Sequence, residues 1–285
     1  MKRREMLHAL GGVVLGGTAL GLERLGGAPR PETPTAPDRL ERIGVQLYTV
    51  RRAMAEDVEG TLARVGQVGY REVEFAGYFD RSPREVRAAL EAAGLAAPAA
   101  HVLLPEASDA WERTLEAATA IGHQALIVPW IPEGRRRTLD DYRAVAESLN
   151  RAGDKARSAG FRFAYHNHDF EFASLEGRVP FDVLLEATDP ELVAFELDLF
   201  WIIKGGYRPL EYFARYPGRF EFVHVKDMTA DGTMVDVGRG TIDFAAIFAK
   251  GKEAGIRHYF VEHDEPSDPF ESIGTSYQYL RGLEF

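Results

Sequence analysis

Cysteine is absent from the 285 residues of this sequence. Its absence excludes disulfide bonds, thiolate metal sites and enzymes that use a cysteine nucleophile. A metal site in this chain must therefore be built without thiolate ligands. The absence of cysteine does not indicate the cellular compartment, because an exported protein can fold without disulfide bonds.

The sequence also lacks an excess of positive charge. It has 34 Lys and Arg residues against 44 Asp and Glu residues, which gives a formal net charge of −10 at pH 7. A field of this sign repels the phosphate backbone of nucleic acids, so we predict no nucleic-acid partner. The charge is compatible with an enzyme that binds a cation or a neutral substrate.

No hydrophobic run is long enough for a stable membrane anchor. The apolar N-terminal stretch, residues 9–22, is rich in glycine and shorter than the roughly 20 residues of a spanning helix. A basic start, Lys2-Arg3-Arg4, precedes this stretch, and that order is typical of a signal peptide. The paired arginines resemble those of a twin-arginine export signal.

We therefore predict a twin-arginine-type signal peptide over residues 1–28 and a periplasmic or otherwise extracytoplasmic location. Four prolines between residues 29 and 37 predict a Pro-rich linker over residues 29–42. The alternative is a basic, disordered N-terminus without an export function. No Ala-x-Ala cleavage site is visible, so the cleavage position stays open.

From residue 43 onward, short β-branched and aromatic runs alternate with longer stretches rich in Ala, Glu, Arg and Leu. The first pattern predicts buried strands and the second predicts amphipathic helices. Eight strands are predicted, and they begin near Ile43, Glu72, Pro98, Ala125, Arg162, Val193, Phe220 and His258. This alternation predicts an α/β protein with a single domain, a (β/α)8 TIM barrel over residues 43–285.

Local signals for helix termini support the alternation. Ser82-Pro83-Arg84-Glu85 combines a serine N-cap, a proline in the first turn and a glutamate that completes a capping box. Glycines are predicted to end five helices in the left-handed conformation: Gly69, Gly94, Gly122, Gly160 and Gly255. A doubly wound open sheet is the alternative, but residues 46–50 lack the glycines that a dinucleotide requires after the first strand.

Polar residues follow four successive predicted strands. The segments are Tyr165-His166-Asn167-His168-Asp169, Glu196-Leu197-Asp198, His224-Val225-Lys226-Asp227 and Val261-Glu262-His263-Asp264. In α/β barrels the carboxyl ends of the strands form the active face, and alternate side chains share a face. We therefore predict that one inward residue per strand, His166, Asp198, His224 and Glu262, binds a divalent metal. Glu196 and Asp169 are interpreted as structural residues.

These motifs resemble the xylose-isomerase-like TIM barrel superfamily of sugar phosphate isomerases and epimerases, which also includes inosose dehydratases and AP endonucleases. The resemblance covers the chain from Ile43 to its end. It is strongest to an exported branch with Tyr-His-Asn-His on the fifth strand. It also rests on Leu197-Asp198-Leu199-Phe200-Trp201 and on Val237-Gly238-Arg239-Gly240-Thr241-Ile242-Asp243-Phe244.

The resemblance implies roles for individual residues. Asp198, His224 and Glu262 match the metal-binding residues of the family's sixth, seventh and eighth strands. The family's fourth ligand is usually a glutamate on the fifth strand, and here His166 takes its position. The two opposed glutamates that epimerases are thought to use as acid and base are therefore incomplete in this chain. His101 matches a family histidine that contacts the substrate.

We predict that Glu262 or His166 removes a proton next to a carbonyl and that Lys226 stabilises the resulting negative charge or donates a proton. A bound metal would polarise the carbonyl. The residues predicted to contact the substrate are His101, His168, Glu171, Trp201, Trp130 and Gln46, with Glu74 as a further pocket residue.

The predicted function is that of a metal-dependent isomerase or lyase, related to epimerases, acting on a small carbohydrate. Its cofactor is one divalent ion (Mn, Zn, Co, Mg or Fe), and a homodimer is one open oligomeric state. One alternative is an exported carbohydrate-binding barrel without catalytic activity. Another is a DNA-repair endonuclease, which needs more ligands for three metals and a basic face, whereas this chain has 8 His and is acidic.

Overall fold

The computed structural model describes residues 38–104 and 108–285. The predicted signal peptide and most of the predicted linker lie outside these residues and stay predictions. At the start of the described chain, Asp38 and Phe285 exchange backbone hydrogen bonds of 2.8 and 3.0 Å, so this segment lies beside the C-terminus. No helix of the described residues is long and apolar enough to cross a membrane.

Eight parallel strands close into a barrel, which confirms the predicted fold. Each strand pairs with its neighbours in the sequence, and the first pairs with the last. The strands are β1 (Gly44–Gln46), β2 (Glu72–Phe75), β3 (Ala96–His101), β4 (Ala125–Val128), β5 (Arg162–His166), β6 (Ala194–Asp198), β7 (Phe220–Val225) and β8 (His258–Val261). The predicted starting points lie within two residues of these bounds.

Helices follow every strand of the barrel. They are α1 (Arg51–Glu56), α2 (Val58–Val68), α3 (Pro83–Ala93), α4 (Ser108–Ile121), α5 (Leu139–Ser158), α6 (Pro180–Ala187), α7 (Leu199–Lys204), α8 (Pro209–Arg215), α9 (Phe244–Phe248), α10 (Gly251–Ala254) and α11 (Pro269–Gly282). The connections after β1, β6 and β7 each contain two short helices. Between α1 and α2 the chain is extended at Asp57, whose side chain caps α2.

The predicted helix termini are confirmed. Ser82 and Glu85 form the capping box at the start of α3. The five helix-ending glycines all have φ between 66° and 128°. Side chains without this freedom would raise the energy of these turns, which explains the glycine before each following strand.

The barrel interior beneath the carboxyl ends is filled by small and large residues from opposite sides. β3, β4, β5 and β6 contribute alanines, whereas β7 and β8 contribute phenyl rings. The buried interior cluster consists of Ala99, Ala125, Ile127, Ala164, Ala194, Phe222 and Phe260. A second, larger apolar layer lies between the strands and the helices. The interior is therefore a packed core and not a channel.

The amino ends of the strands carry a separate pair, in which Glu72 is buried and His258 is partly buried. Glu72 accepts a hydrogen bond of 2.8 Å from His258 Nδ1. The imidazole of His258 stacks on Phe222 and Phe260, with interplanar angles of 11° and 4°. This pair lies at the opposite end of the barrel from the predicted site.

A short hairpin, Asp227–Met228 with Met234–Val235, follows β7. The loop after it is held by one carboxylate. Asp227 accepts backbone hydrogen bonds of 2.9 Å from Gly238 and Gly240 and of 3.2 Å from Ile242. This contact explains the sequence motif from Val237 to Phe244, because the backbone must approach the carboxylate closely.

Candidate active site

The four predicted metal ligands meet at the carboxyl ends of β5 to β8, and all four are buried. His224 Nδ1 lies 2.7 Å from Glu262 Oε2 and 3.9 Å from Asp198 Oδ2. His166 Nε2 lies 3.8 Å from Asp198 Oδ2. Asp198, His224 and Glu262 thus direct atoms to one common space, and His166 adjoins it beside Asp198.

The two oxygens of Asp198 have different surroundings. Oδ1 accepts backbone hydrogen bonds of 2.9 Å from Phe200 and Trp201 and so caps α7. Oδ2 faces the other ligands, and its nearest charged neighbour is Lys226 Nζ at 3.1 Å. Burial raises the pKa of Asp198 to about 6, while Lys226 opposes the shift. The cap fixes the carboxylate with one oxygen directed into the site.

Lys226 brings a buried ammonium group to the same carboxylates. Its Nζ lies 2.8 Å from Glu262 Oε2, 2.8 Å from Asp264 Oδ1 and 3.1 Å from Asp198 Oδ2. Burial alone would lower the pKa of Lys226, but Asp198 and Glu262 raise it well above its ordinary value. The group is therefore a cation at neutral pH. In turn, Lys226 and His224 overcome the burial of Glu262 and hold its pKa well below the usual range.

A deeper carboxylate, Glu196, contacts three imidazole rings. Its Oε2 lies 2.9 Å from His101 Nε2, 3.1 Å from His166 Nδ1 and 3.1 Å from His224 Nε2. Although burial favours the neutral acid, His224 and the other imidazoles hold the pKa of Glu196 well below its usual range. Glu196 is therefore an anion within the barrel.

Glu74 on β2 completes this deeper layer. Its Oε2 lies 2.7 Å from His224 Nε2 and accepts a hydrogen bond of 2.6 Å from Gln46 Nε2. His224 thus directs Nε2 towards carboxylates below it and Nδ1 towards Asp198 and Glu262 above it. A carboxylate on one imidazole nitrogen fixes the ring and leaves the other nitrogen to bind a metal.

The residues present fit a divalent cation. Asp198 Oδ2 and His224 Nδ1 are buried, and their close polar neighbours are other members of the site: Lys226 Nζ lies 3.1 Å from the first atom and Glu262 Oε2 lies 2.7 Å from the second. Neither atom makes a hydrogen bond of good geometry, as expected of atoms arranged to bind a metal. Asp198, His224 and Glu262 offer ligand atoms within 4.8 Å of one another. His166 joins a second such group with His101, Glu196 and His224. Imidazole and carboxylate donors suit Zn, Mn, Fe, Co or Ni.

A cavity of about 400 Å³, the mouth cavity, opens above these residues. Among the predicted site residues, those that line it are His101, Trp130, His166, His168, Lys226 and Glu262. Burial and the Lys226 charge lower the pKa of His168 to about 3, so its imidazole is neutral. The mouth cavity therefore presents the Lys226 ammonium, the neutral imidazole of His168 and the carboxyl groups of Glu262 and Asp264 to a small polar molecule.

Residues 62–283 match the family model of the xylose isomerase-like TIM barrel. The chain belongs to this family. The inosose dehydratase of Geobacillus kaustophilus (strain HTA426) is 27% identical over 260 residues, which cover 77% of this chain and 83% of the relative. Two inosose dehydratases of Lacticaseibacillus casei are 27% identical over 165 residues, about half of each chain.

Solved structures with the same fold include the following two. A sugar phosphate isomerase/epimerase from Parabacteroides distasonis is 27% identical, with a TM-score of 0.76, and the match covers 89% of this chain and 96% of that one. The IOLI protein with a bound zinc atom is 15% identical, with a TM-score of 0.69, and the match covers 86% of this chain and 99% of that one. At that identity the second likeness shows the fold alone.

Three of the predicted substrate-contacting residues do not line the mouth cavity of this family member. Gln46 is buried against Glu74. Glu171 accepts hydrogen bonds from the Tyr165 hydroxyl and, at 2.8 Å, from the His168 backbone, so it braces the loop after β5. Trp201 lies behind this loop, with its ring centroid 5.7 Å from that of His168. These three residues support the site from outside the cavity.

Other site residues had weak sequence signals. Glu196 was interpreted as structural, yet it contacts three imidazoles, and its spacing of two from Asp198 places it on the inward face. Tyr48 and Asp264 also line the mouth cavity. Tyr48 gave no signal, because a tyrosine after a strand is common, and Asp264 could have been found from its spacing of two from Glu262.

Proposed function

We propose that this family member is a metal-dependent enzyme that removes a proton next to a carbonyl of a small carbohydrate. The outcome would be isomerisation or elimination, including loss of water. The observation that carries the proposal is the grouping of Asp198, His224 and Glu262 at the mouth cavity, with His166 next to Asp198 and with Lys226 paired to Asp198 and Glu262. The names of the dehydratase and isomerase relatives support the same class of chemistry.

Different residues of the site are suited to proton transfer and to charge stabilisation. Glu262 lines the mouth cavity as an ionised carboxylate, so it can accept the proton. Lys226 also lines this cavity, and its ammonium group can stabilise negative charge or return a proton. Burial and the neighbouring His224 lower the pKa of His166 well below its usual value, so His166 is a neutral imidazole that can bind a metal or act as base.

One divalent ion is the proposed cofactor, with His166, Asp198, His224 and Glu262 as its ligands. When bound, such an ion polarises a carbonyl group and stabilises adjacent negative charge. The IOLI protein, which has the same fold, contains a zinc atom, and this supports a metal in the present chain as well.

An epimerisation that uses two opposed glutamates is disfavoured in this site. Among the described residues, two that carry carboxyl groups line the mouth cavity, Glu262 and Asp264, and they lie on the same segment after β8. The opposite side, after β5, presents the imidazoles of His166 and His168. This asymmetry supports isomerisation or elimination.

The test is proton exchange in heavy water with a panel of keto-sugars and keto-glycosides, together with elemental analysis. We expect about one metal equivalent and exchange at one carbon. Glu262→Gln should reduce exchange by about 10²-fold or more, and His224→Ala should lose the metal. Glu147→Gln, on the exposed face of α5, is the matched control and should change neither property.

Normal turnover and full metal content in both site variants would overturn the proposal. Binding of sugars without metal and without exchange would instead support a carbohydrate-binding barrel. Three metal equivalents would support the nuclease alternative.

Export by the twin-arginine route is a separate proposal that rests on the sequence alone. Replacing Arg3 and Arg4 with lysine should retain the protein in the cytoplasm. Cell fractionation measures this outcome, and unchanged export of the variant would contradict the proposal.

A further inference from the structure

A second cavity, the side cavity, adjoins the mouth cavity. Its volume is about 770 Å³, nearly twice that of the mouth cavity. His101 and Trp130 line both cavities, so the two spaces meet at these side chains. A molecule held by the metal ligands can therefore extend past Trp130 into the side cavity.

The side cavity has a different chemical character from the mouth cavity. No Asp or Glu belongs to its described lining, whereas the mouth cavity contains Glu262 and Asp264. Most of its wall is apolar and is formed by Tyr78, Val102, Leu103, Leu104, Trp111 and Pro132. Arg113, Thr114 and Arg135 add polar groups to the same lining. The hydroxyl groups of a sugar fit the polar mouth cavity, and an apolar group fits the side cavity.

Exposed apolar side chains mark the same region. Among the described residues, four large hydrophobic side chains are exposed, and three of them line one of the two cavities. Leu103 is 80% exposed and Trp130 is 45% exposed. A cluster of exposed apolar side chains is typical of a ligand-binding surface, because exposing these side chains to water does not stabilise the folded protein.

We propose that the side cavity binds the apolar, ring-containing aglycone of a glycoside whose sugar lies in the mouth cavity. The substrate is then a glycoside with an aromatic or similarly apolar aglycone, rather than a free monosaccharide. The inference rests on the proposed function for the placement of the sugar. Trp130 stands at the junction, where an aromatic ring can stack on it.

The test measures binding rather than turnover, so it is independent of the reaction. The probes are phenyl β-D-glucopyranoside and methyl β-D-glucopyranoside, which carry the same sugar, titrated into the zinc-loaded protein by calorimetry. We expect the phenyl glycoside to bind at least about tenfold more tightly, because its ring replaces water in an apolar cavity.

Leu103→Ser and Trp130→Ala should reduce this preference to less than about threefold. Both residues are exposed, so the variants should fold, as thermal unfolding will show. Tyr279→Ala is the matched control, because Tyr279 is 37% exposed and lies outside the lining of both cavities. It should keep the full preference.

Equal affinity for the two glycosides, or a preference that persists in both cavity variants, would overturn the inference even if keto-sugar exchange succeeds. Aryl preference that depends on Leu103 and Trp130, without proton exchange, would support the side cavity and contradict the proposed reaction. The two failures are therefore distinguishable.

Discussion

Glu196 connects the histidines of the site. Its buried carboxylate contacts three imidazoles, which come from three different strands. Two of these imidazoles, those of His166 and His224, are proposed metal ligands. An outer carboxylate of this kind fixes ring orientation and increases the basicity of the metal-binding nitrogen. Glu196 is a positioning residue, since it acts through His166 and His224.

Glu196→Gln should weaken metal binding by about 10- to 100-fold, because the amide cannot accept hydrogen bonds from several rings as the anion does. Competition with a fluorescent chelator measures this change. Glu72→Gln is the matched control, since Glu72 is also a buried inward glutamate paired with a histidine, at the other end of the barrel. Equal metal affinities of the two variants would contradict the role of Glu196.

Lys226 competes with a cation for Asp198 and Glu262. Lys226→Met removes the positive charge, so we expect metal to bind at least as tightly as in the wild type. Proton exchange should fall by about 10²- to 10³-fold, because a stabilising group is lost. Calorimetry and exchange in heavy water separate the two effects, and Lys250→Met on the surface is the control. Weaker metal binding by Lys226→Met would show that this residue supports the ligands instead.

At the level of residues, strand alternation predicted much of the site. His166, Asp198, His224 and Glu262 follow from one inward position on each of four strands. The positions of Gln46, Glu171 and Trp201 outside the mouth cavity could not be predicted in this way. Strand alternation shows which face a side chain lies on, but it does not show whether other residues separate that side chain from the cavity. Contacts such as that of Glu171 with Tyr165 depend on the path of the loop.

The loop after β7 is an element whose sequence reflects a close backbone contact. A Cβ at Gly240 would lie 2.2 Å from Asp227 Oδ1 and 2.5 Å from the carbonyl oxygen of Met228. Asp227 holds this loop by several backbone hydrogen bonds, so displacement would break them together.

Gly240→Ala should lower the free energy of unfolding by about 1–3 kcal/mol, because the new methyl group requires the loop to move. Urea unfolding measures the loss, and limited proteolysis should show earlier cleavage near residues 236–243. Gly274→Ala is the control, since nothing lies within 4 Å of a Cβ there and the residue is inside α11. That variant should be neutral or more stable, by up to about 1 kcal/mol.

Strands and helix termini were the best predicted elements. The eight strand positions and the capping box at Ser82 follow from short-range patterns that the tertiary structure preserves. The hairpin after β7 and the paired short helices were not predicted. Two-residue strands carry too little alternation to be recognised, and a break such as that at Asp57 lies within one continuous helical pattern.

For the whole molecule, metal binding and folding should be linked. The proposed ligands come from four strands, so they are assembled only in the folded barrel. A ligand at 100 times its dissociation constant stabilises the native state by about 2.7 kcal/mol. We expect a chelator to lower the midpoint of thermal unfolding by several degrees and one equivalent of zinc to restore it. The double variant Asp198→Ala and His224→Ala should not respond, and a response would place the metal elsewhere.

The four interior alanines on β3 to β6 also limit how this molecule can diverge in evolution. They lie opposite Phe222 and Phe260, and a larger residue at any of them costs about 1–3 kcal/mol. Because Phe222 and Phe260 precede His224 and Glu262 by two residues, such a change would also displace these two proposed metal ligands. We therefore expect new substrate specificities to arise by substitutions in the loops at the carboxyl ends of the strands, while the packed interior of the barrel is retained.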